Sequence, residues 1–333
     1  MEIILINASA AKKGGAETII RTFVSKIPND RQRYLIISPL EFDITGSNNI
    51  LIINKKTNGL NTIFFTLIGI MTYVIKYKPT KIISFNNINY IFSGKKGITY
   101  FHQLKALKEE YSDIKIKIYD LCIRFFLRKN IFIVQSDLIK NLFIEKYKFN
   151  QDQVISSWPG FEIPKSTSLI NFIDIKRDFL FVGILPIAYV SEHKNIDSLK
   201  TLLPEFVKNN IGIITLLDED KSPLKGYDNI INIGSVSRSE LFGIYEYCDF
   251  MIFPSKTETV GLPIFEFMQT GKPVFVYKAD YSQSYYKQFG EPENLILYIN
   301  NENLIEKLED GLKSFDNSVN YALGEWDKLF KLL

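Results

Sequence analysis

Two glutamates, Glu258 and Glu266, lie eight positions apart within Phe253–Val276, FPSKTETVGLPIFEFMQTGKPVFV. Carboxylates accept hydrogen bonds from hydroxyls, and backbone N–H groups at a helix start attract phosphate. This stretch supplies both kinds of group: Glu258 falls in a polar loop, the amides of Val260, Gly261 and Leu262 open a helix, and Glu266 follows one turn inside it, near the edge where Glu258 enters. Amides for a diphosphate and carboxylates for hydroxyls suit a sugar nucleotide. The same two glutamates also read as solvated loop and helix charges, because charged residues are rarely buried.

The elements that position them follow from local chemistry. Tyr247–Phe253, with four large apolar residues together at its end, reads as a short buried strand that must stop at Pro254, which cannot extend a ladder. Pro263 sits where a helix start needs no N–H, Gly271 closes the helix, and Val274–Tyr277 is a second buried strand. Strand, loop, helix and strand make a unit of a parallel sheet.

Other candidates sit at comparable places. Lys194 lies in SEHKNIDSL, which resembles the K-G/N-x-x-x-L helix start of retaining GT-B glycosyltransferases; at a helix start the macrodipole disfavours a cation and an anionic partner would favour it. His102 follows the strand GITYF, and ligands of open parallel sheets bind outside the carboxyl ends of strands. Gly14 and Gly15 separate the first strand from a helix, which lets backbone approach a ligand closely or simply makes a tight turn. The acidic trio Asp218, Glu219 and Asp220 reads as a solvated loop, not a metal site.

PSKTETVGLPIFEFMQTGKPV closely resembles the PS-x-x-E-x-x-G-L-P-x-x-E-x-x-x-x-G-x-P-V signature of retaining glycosyltransferases of the GT-B type, family 4. The resemblance implies an α/β protein with two Rossmann-like domains whose parallel sheets face a central cleft. It implies that Glu258 contacts the donor sugar, that Val260, Gly261 and Leu262 hold the diphosphate, and that Glu266 binds the ribose. It places Gly14, Gly15, Gly183 and Lys194 near the donor phosphates, Val236 against the nucleobase, and His102 on the donor sugar. It also implies transfer without metal or cofactor, the UDP- or GDP-sugar being a substrate. Asp178–Gly183 reads as a strand into a glycine turn, and the family arginine that follows this glycine is replaced here by Ile184. By the same resemblance residues 1–160 form the acceptor domain, 161–177 a linker, 178–315 the nucleotide-sugar domain, and 316–333 a helix crossing back to the first domain.

Composition narrows the remaining classes. The 333 residues are 46% hydrophobic and 23% charged, enough for two domains with their own cores and unlike a disordered chain. Met1–Asn7 reads as a first strand, not a signal peptide, and Cys122 and Cys248, in apolar contexts, read as reduced core residues of a cytoplasmic protein. Residues 1–170 hold 24 Lys+Arg and 13 Asp+Glu, a balance of +11, whereas residues 171–333 hold 16 and 24, a balance of −8. Ile63–Ile75 is too short to span a bilayer and is expected as a buried helix in preference to an interfacial one. Leu104–Lys129 has an apolar stripe with a basic face, the pattern either of a helix on an anionic membrane or of an ordinary surface helix. Charge and resemblance together point to a glycan acceptor on a lipid carrier at the inner membrane face, in O-antigen or capsule synthesis, and not to nucleic acid. The alternatives are a non-catalytic GT-B nucleotide-binding scaffold, motivated by Ile184, and a soluble transferase acting on a small acceptor.

Overall fold

The computed structural model describes all residues except 1, 13, 109–112, 165–177, 313–314 and 316–318. Most of the expected linker, 165–177, therefore lies outside the described residues. The chain divides into unit 1, Met1–Glu162 with Leu323–Leu333, and unit 2, Ile163–Ala322.

Among the described residues unit 1 is built on seven strands: β1 (Ile3–Asn7), β2 (Arg33–Ser38), β3 (Ile50–Asn54), β4 (Lys81–Ser84), β5 (Gly97–Phe101), β6 (Ile131–Val134) and β7 (Val154–Ser156). The described residues of unit 2 form six: β8 (Phe181–Leu185), β9 (Ile211–Thr215), β10 (Ile230–Asn232), β11 (Phe250–Phe253), β12 (Val274–Tyr277) and β13 (Leu295–Tyr298). The sequences are near-continuous Ile, Leu, Val and Phe runs, as expected of strands covered on both faces. All pairings are parallel, in the orders β3-β2-β1-β4-β5-β6-β7 and β10-β9-β8-β11-β12-β13. In each unit the order reverses once, between β1 and β4 and between β8 and β11. Loops leaving the two strands at such a reversal diverge and open a crevice.

The carboxyl-terminal segment belongs to unit 1. Glu325 Oε2 accepts from the Trp158 backbone N–H at 3.0 Å, and the Glu325 carbonyl accepts from Ser157 Oγ at 3.0 Å. This places Trp326 in the core against Phe23 (5.3 Å between centroids) and Tyr100 (5.7 Å).

Three local expectations are corrected. Gly183 does not end its strand in a turn: it lies inside β8, where an added methyl would come 2.5 Å from the Phe250 ring, so the glycine serves packing. The apolar helix spans Gly59–Tyr77, with a π-helical turn at Phe65–Gly69, and is 19 residues long. Among the described residues it is the one helix long and apolar enough to cross a membrane. It is not a buried helix either, since Thr62, Ile63, Thr66 and Ile70 face inward while Phe64, Ile68 and Ile75 are exposed. Leu104–Lys129 is not one helix but a 3-10 turn at Leu104–Leu107, an α-helix at Ile114–Leu121 and a π-turn at Cys122–Phe126.

Removing a fully buried indole should be costly. Trp326→Ala is expected to lower unfolding free energy by about 3–5 kcal/mol, read by urea denaturation; a loss below about 1 kcal/mol would mean the tail contributes little to unit 1.

Candidate active site

In unit 2 the loops leaving β8 and β11 meet at the reversal of strand order. Lys194 and Glu258, 64 positions apart, form an ion pair with Nζ–Oε1 at 2.5 Å. Both side chains are largely buried, at 12% and 16% exposure. The lysine also lies over the Tyr189 and Phe253 rings, at 5.5 and 5.7 Å. A cation held among aromatic faces is only weakly screened by water.

The backbone explains how this geometry is fixed. Lys194 does not open an α-helix as expected: it closes a 3-10 turn, Glu192–Lys194, Asn195 follows in the left-handed region at φ 55°, and a second 3-10 run spans Ile196–Leu202. The Lys256 N–H donates to the His193 carbonyl at 2.8 Å and ties the two loops together. Two phenols secure the far side: Tyr281 Oη donates to the Ser255 carbonyl at 2.8 Å, and Tyr285 Oη donates to the Val260 carbonyl. Burial, and then the Glu258 charge, push the Tyr285 phenol far above its ordinary pKa, so it remains a donor. Gly261 caps the helix Leu262–Met268 at φ 62°, a conformation that strains other residues, and Pro263 occupies the first turn.

Glu266 does not stand at an exposed edge. The helix Leu262–Met268 is buried on nearly every side, and Glu266 is 3% exposed with Arg238 Nη1 2.9 Å from its Oε1. Burial raises the carboxyl pKa, while the Arg238 charge, its hydrogen bond and one from Tyr245 oppose the rise. Arg238 escaped the reading of the sequence. The available signal was the capping box Ser237-x-x-Glu240, which makes Arg238 the first residue of the helix Arg238–Tyr247, where the macrodipole disfavours a cation. Val236 lies just ahead of the cap, half-buried. Ile184 is buried within β8. In the acidic loop Asp218 pairs with Lys221, Asp220 pairs with Lys225, and Glu219 accepts from Asn232. Among the described residues no cluster of His, Cys, Asp and Glu is arranged to hold a metal.

Unit 1 carries its own cavity, of about 270 Å³, lined among others by Ala10, Lys12, Thr62, Asn86, His102 and Lys115. It lies at the carboxyl ends of β1, β4 and β5. His102 is held by Asn87, whose Oδ1 accepts from the His102 backbone N–H at 2.7 Å while its Nδ2 lies 3.3 Å from Nε2. Because the backbone donor fixes which end of the amide is oxygen, Nδ2 donates and Nε2 accepts, and the neutral ring carries its proton on Nδ1. Burial, and then Lys115, lower the His102 pKa to about 4. Asn87 sits at φ 67°, and Asn86 Nδ2 donates to Thr66 Oγ1 at 2.9 Å. The asparagines went unnoticed in the sequence although FNNIN directly follows β4. Gly14 and Gly15 begin the helix Gly15–Ser25 beside the lining residues Lys12 and Ala16; a methyl on either glycine would meet nothing within 4 Å.

Residues 184–315 match the family model of glycosyl transferases group 1. No curated protein sequence matches the chain. Solved structures are similar over most of it. HepE of Anabaena, in complex with UDP and glucose, is 15% identical with a TM-score of 0.64, covering 97% of this chain and 93% of its own. WaaG, a glycosyltransferase involved in lipopolysaccharide biosynthesis, is 12% identical with a TM-score of 0.65, covering 93% and 90%. A glycosyltransferase from Rickettsia africae is 18% identical with a TM-score of 0.64, covering 93% and 87%. The fold is therefore GT-B, two Rossmann-like units of parallel sheet, and the second unit carries the group 1 sequence pattern over residues 184–315.

Two expectations follow. Arg238→Met leaves Glu266 buried without its guanidinium and should cost about 2–3 kcal/mol at pH 7, the low end for a broken buried pair because the arginine is partly exposed. The deficit should shrink toward acid pH as Glu266 takes up a proton; a deficit constant with pH would assign the loss to packing alone. For His102, whose folded pKa lies below the ordinary 6.5, stability should fall as pH drops from 6.5 toward 4, because the unfolded ring binds a proton that the native ring refuses. His102→Gln should flatten that part of a urea-derived stability profile, and an unchanged slope would place the acid sensitivity elsewhere.

Proposed function

We propose that this protein is a retaining, metal-independent glycosyltransferase that moves a sugar from a UDP- or GDP-sugar to a hydroxyl of a glycan acceptor on a lipid carrier. The observation that carries the reading is the Lys194–Glu258 pair at 2.5 Å, set where β8 and β11 diverge and inside the stretch that matches the group 1 model. Support for the donor class comes from HepE, solved with UDP and glucose and with UDP-glucose, and support for the acceptor class from WaaG.

In this reading the donor diphosphate takes Lys194 as its cation and the amides of Val260, Gly261 and Leu262 as donors. Glu258, released from the lysine, accepts from sugar hydroxyls, and Glu266 accepts from the ribose. Gly14 and Gly15 leave room for backbone to approach the phosphates, and Val236 borders the base. As the bond from the anomeric carbon to the diphosphate oxygen breaks, negative charge grows on that oxygen, where preorganised cations and N–H groups lower the barrier most. The acceptor oxygen bonds to the anomeric carbon from the same face and passes its proton to the leaving phosphate oxygen, which preserves the configuration. His102, neutral at physiological pH, contributes hydrogen bonding and no charge. Arg238 offers a cation that Ile184 does not. Surface-polysaccharide synthesis, of O-antigen or capsule, is the process that fits such an acceptor, and the cytoplasmic face of the membrane the place.

Two measurements test this. Thermal unfolding with UDP, GDP, dTDP and ADP, with and without magnesium, should show stabilisation by UDP or GDP independent of the metal; ligand at 100 times Kd adds about 2.7 kcal/mol. Glu258→Gln should abolish transfer and keep nucleotide binding. Nucleotide binding by the wild type without turnover on any sugar would instead favour the scaffold reading.

A further inference from the structure

The Gly59–Tyr77 helix is partly inside out. Its inward face carries Thr62 and Thr66, hydrogen-bonded to Thr57, Asn7 and Asn86, whereas Leu60, Phe64, Ile68, Met71 and Ile75 face outward. Spacings of four, four, three and four keep these five on one stripe, with Phe64 63% and Ile75 65% exposed. The Ile91 N–H donates to the Leu67 carbonyl at 3.2 Å, which seats Phe92, 72% exposed, beside that stripe. A second helix repeats the pattern. Ile116, Tyr119, Cys122 and Ile123 pack with Ile63 in a common core, while Ile114, Leu121, Phe125 and Phe126 are exposed.

The charge around the first helix has one sign. Residues 44–108 contain nine lysines and no aspartate or glutamate, and Lys117, Arg124 and Lys129 flank the second stripe. The described acids on that helix are engaged locally: Asp113 caps it by accepting from the Ile116 N–H at 2.8 Å, and Asp120 is held by Lys146 at 3.4 Å and by Tyr147.

We propose that these two helices dock unit 1 on an anionic bilayer, lying in the plane of the interface with Phe64, Ile68, Ile75 and Phe125 in the boundary between headgroups and acyl chains. Exposed aromatics and aliphatics rimmed by lysine and arginine satisfy both requirements of interfacial binding, apolar area and attraction to acidic headgroups. The helix lies on the membrane and does not cross it, because crossing would strip Thr62 and Thr66 from their partners in unit 1. A second copy of the chain is a poor occupant, since a two-fold interface would set this lysine-rich surface against itself. The docked face borders the unit 1 cavity, whose lining includes Gly59 and Thr62 of the first helix and Lys115 and Tyr119 of the second. A lipid carrier in the same bilayer would thus bring its glycan to that cavity. Only this last step rests on the lipid-linked acceptor reading.

The test is sedimentation of the full chain with vesicles of phosphatidylcholine alone or mixed with phosphatidylglycerol. Binding to the anionic vesicles, weakened by salt, is expected. Phe64→Ser combined with Phe125→Ser should reduce it roughly tenfold or more, because both rings lose their buried area, and Lys76→Glu with Lys78→Glu should reduce it at low salt. Thermal midpoints should hold, since all four side chains are exposed. Absence of binding to anionic vesicles, binding unchanged by both pairs of substitutions, or a dimer dissolved by Phe64→Ser would each overturn the docking. Nucleotide binding measured on the same samples separates the two readings, because a protein that binds UDP or GDP but no vesicle loses the docking alone.

Discussion

A parallel sheet whose strand order reverses once must let two adjacent chains leave in opposite directions, and the chemistry of unit 2 depends on that divergence. β8 and β11 are hydrogen-bonded neighbours, with Phe250 opposite Gly183 and Met251 opposite Ile184. The loop from one ends at Lys194 and the loop from the other carries Glu258, so residues 64 apart meet within 2.5 Å. Gly183 matters because it has no side chain: the Phe250 ring lies where a methyl would be. A larger residue there would push apart the two strands whose spacing sets the ion pair.

The two glutamates of unit 2 are stabilised differently. Glu258 is partly accessible and shares its cation with two aromatic faces, an arrangement that an incoming anion can compete for. Glu266 sits on a helix buried on nearly all sides, where burial raises its pKa and Arg238 and Tyr245 oppose the rise. Leaving a buried carboxylate without its cation costs several kcal/mol, so Glu266 stays poised only while Arg238 remains close. The first glutamate is thus suited to exchange partners during a reaction cycle and the second to hold a fixed position.

Much of this was legible in the sequence because it is local. Phe253–Val276 contains a strand stop, a helix start and a helix stop in residues whose backbone preferences are strong, and the elements appear where Pro254, Pro263 and Gly271 place them. What escaped depends on contacts across the sheet. No local pattern shows that Phe250 fills the space above Gly183, that Arg238 reaches Glu266 from another helix, or that Asn87 grips both the backbone and the ring of His102. For the Gly59–Tyr77 helix, hydrophobicity was read as burial, yet the inward face is half threonine and the outward face aliphatic and aromatic.

That inversion has a physical reason. The helix covers the carboxyl ends of β1 and β4, where Asn7 and Asn86 present side-chain amides that a wholly apolar helix would leave unsatisfied. Buried polar groups without partners cost more than a threonine loses in apolar area, so Thr62 and Thr66 are favoured there. With the inward face partly assigned to hydrogen bonding, the outward apolar stripe is not required for folding, and the lysines around it set a charge that a neutral core would not need. Stability explains the threonines, whereas Phe64 and Ile75 on the outward stripe leave most of their surface to solvent.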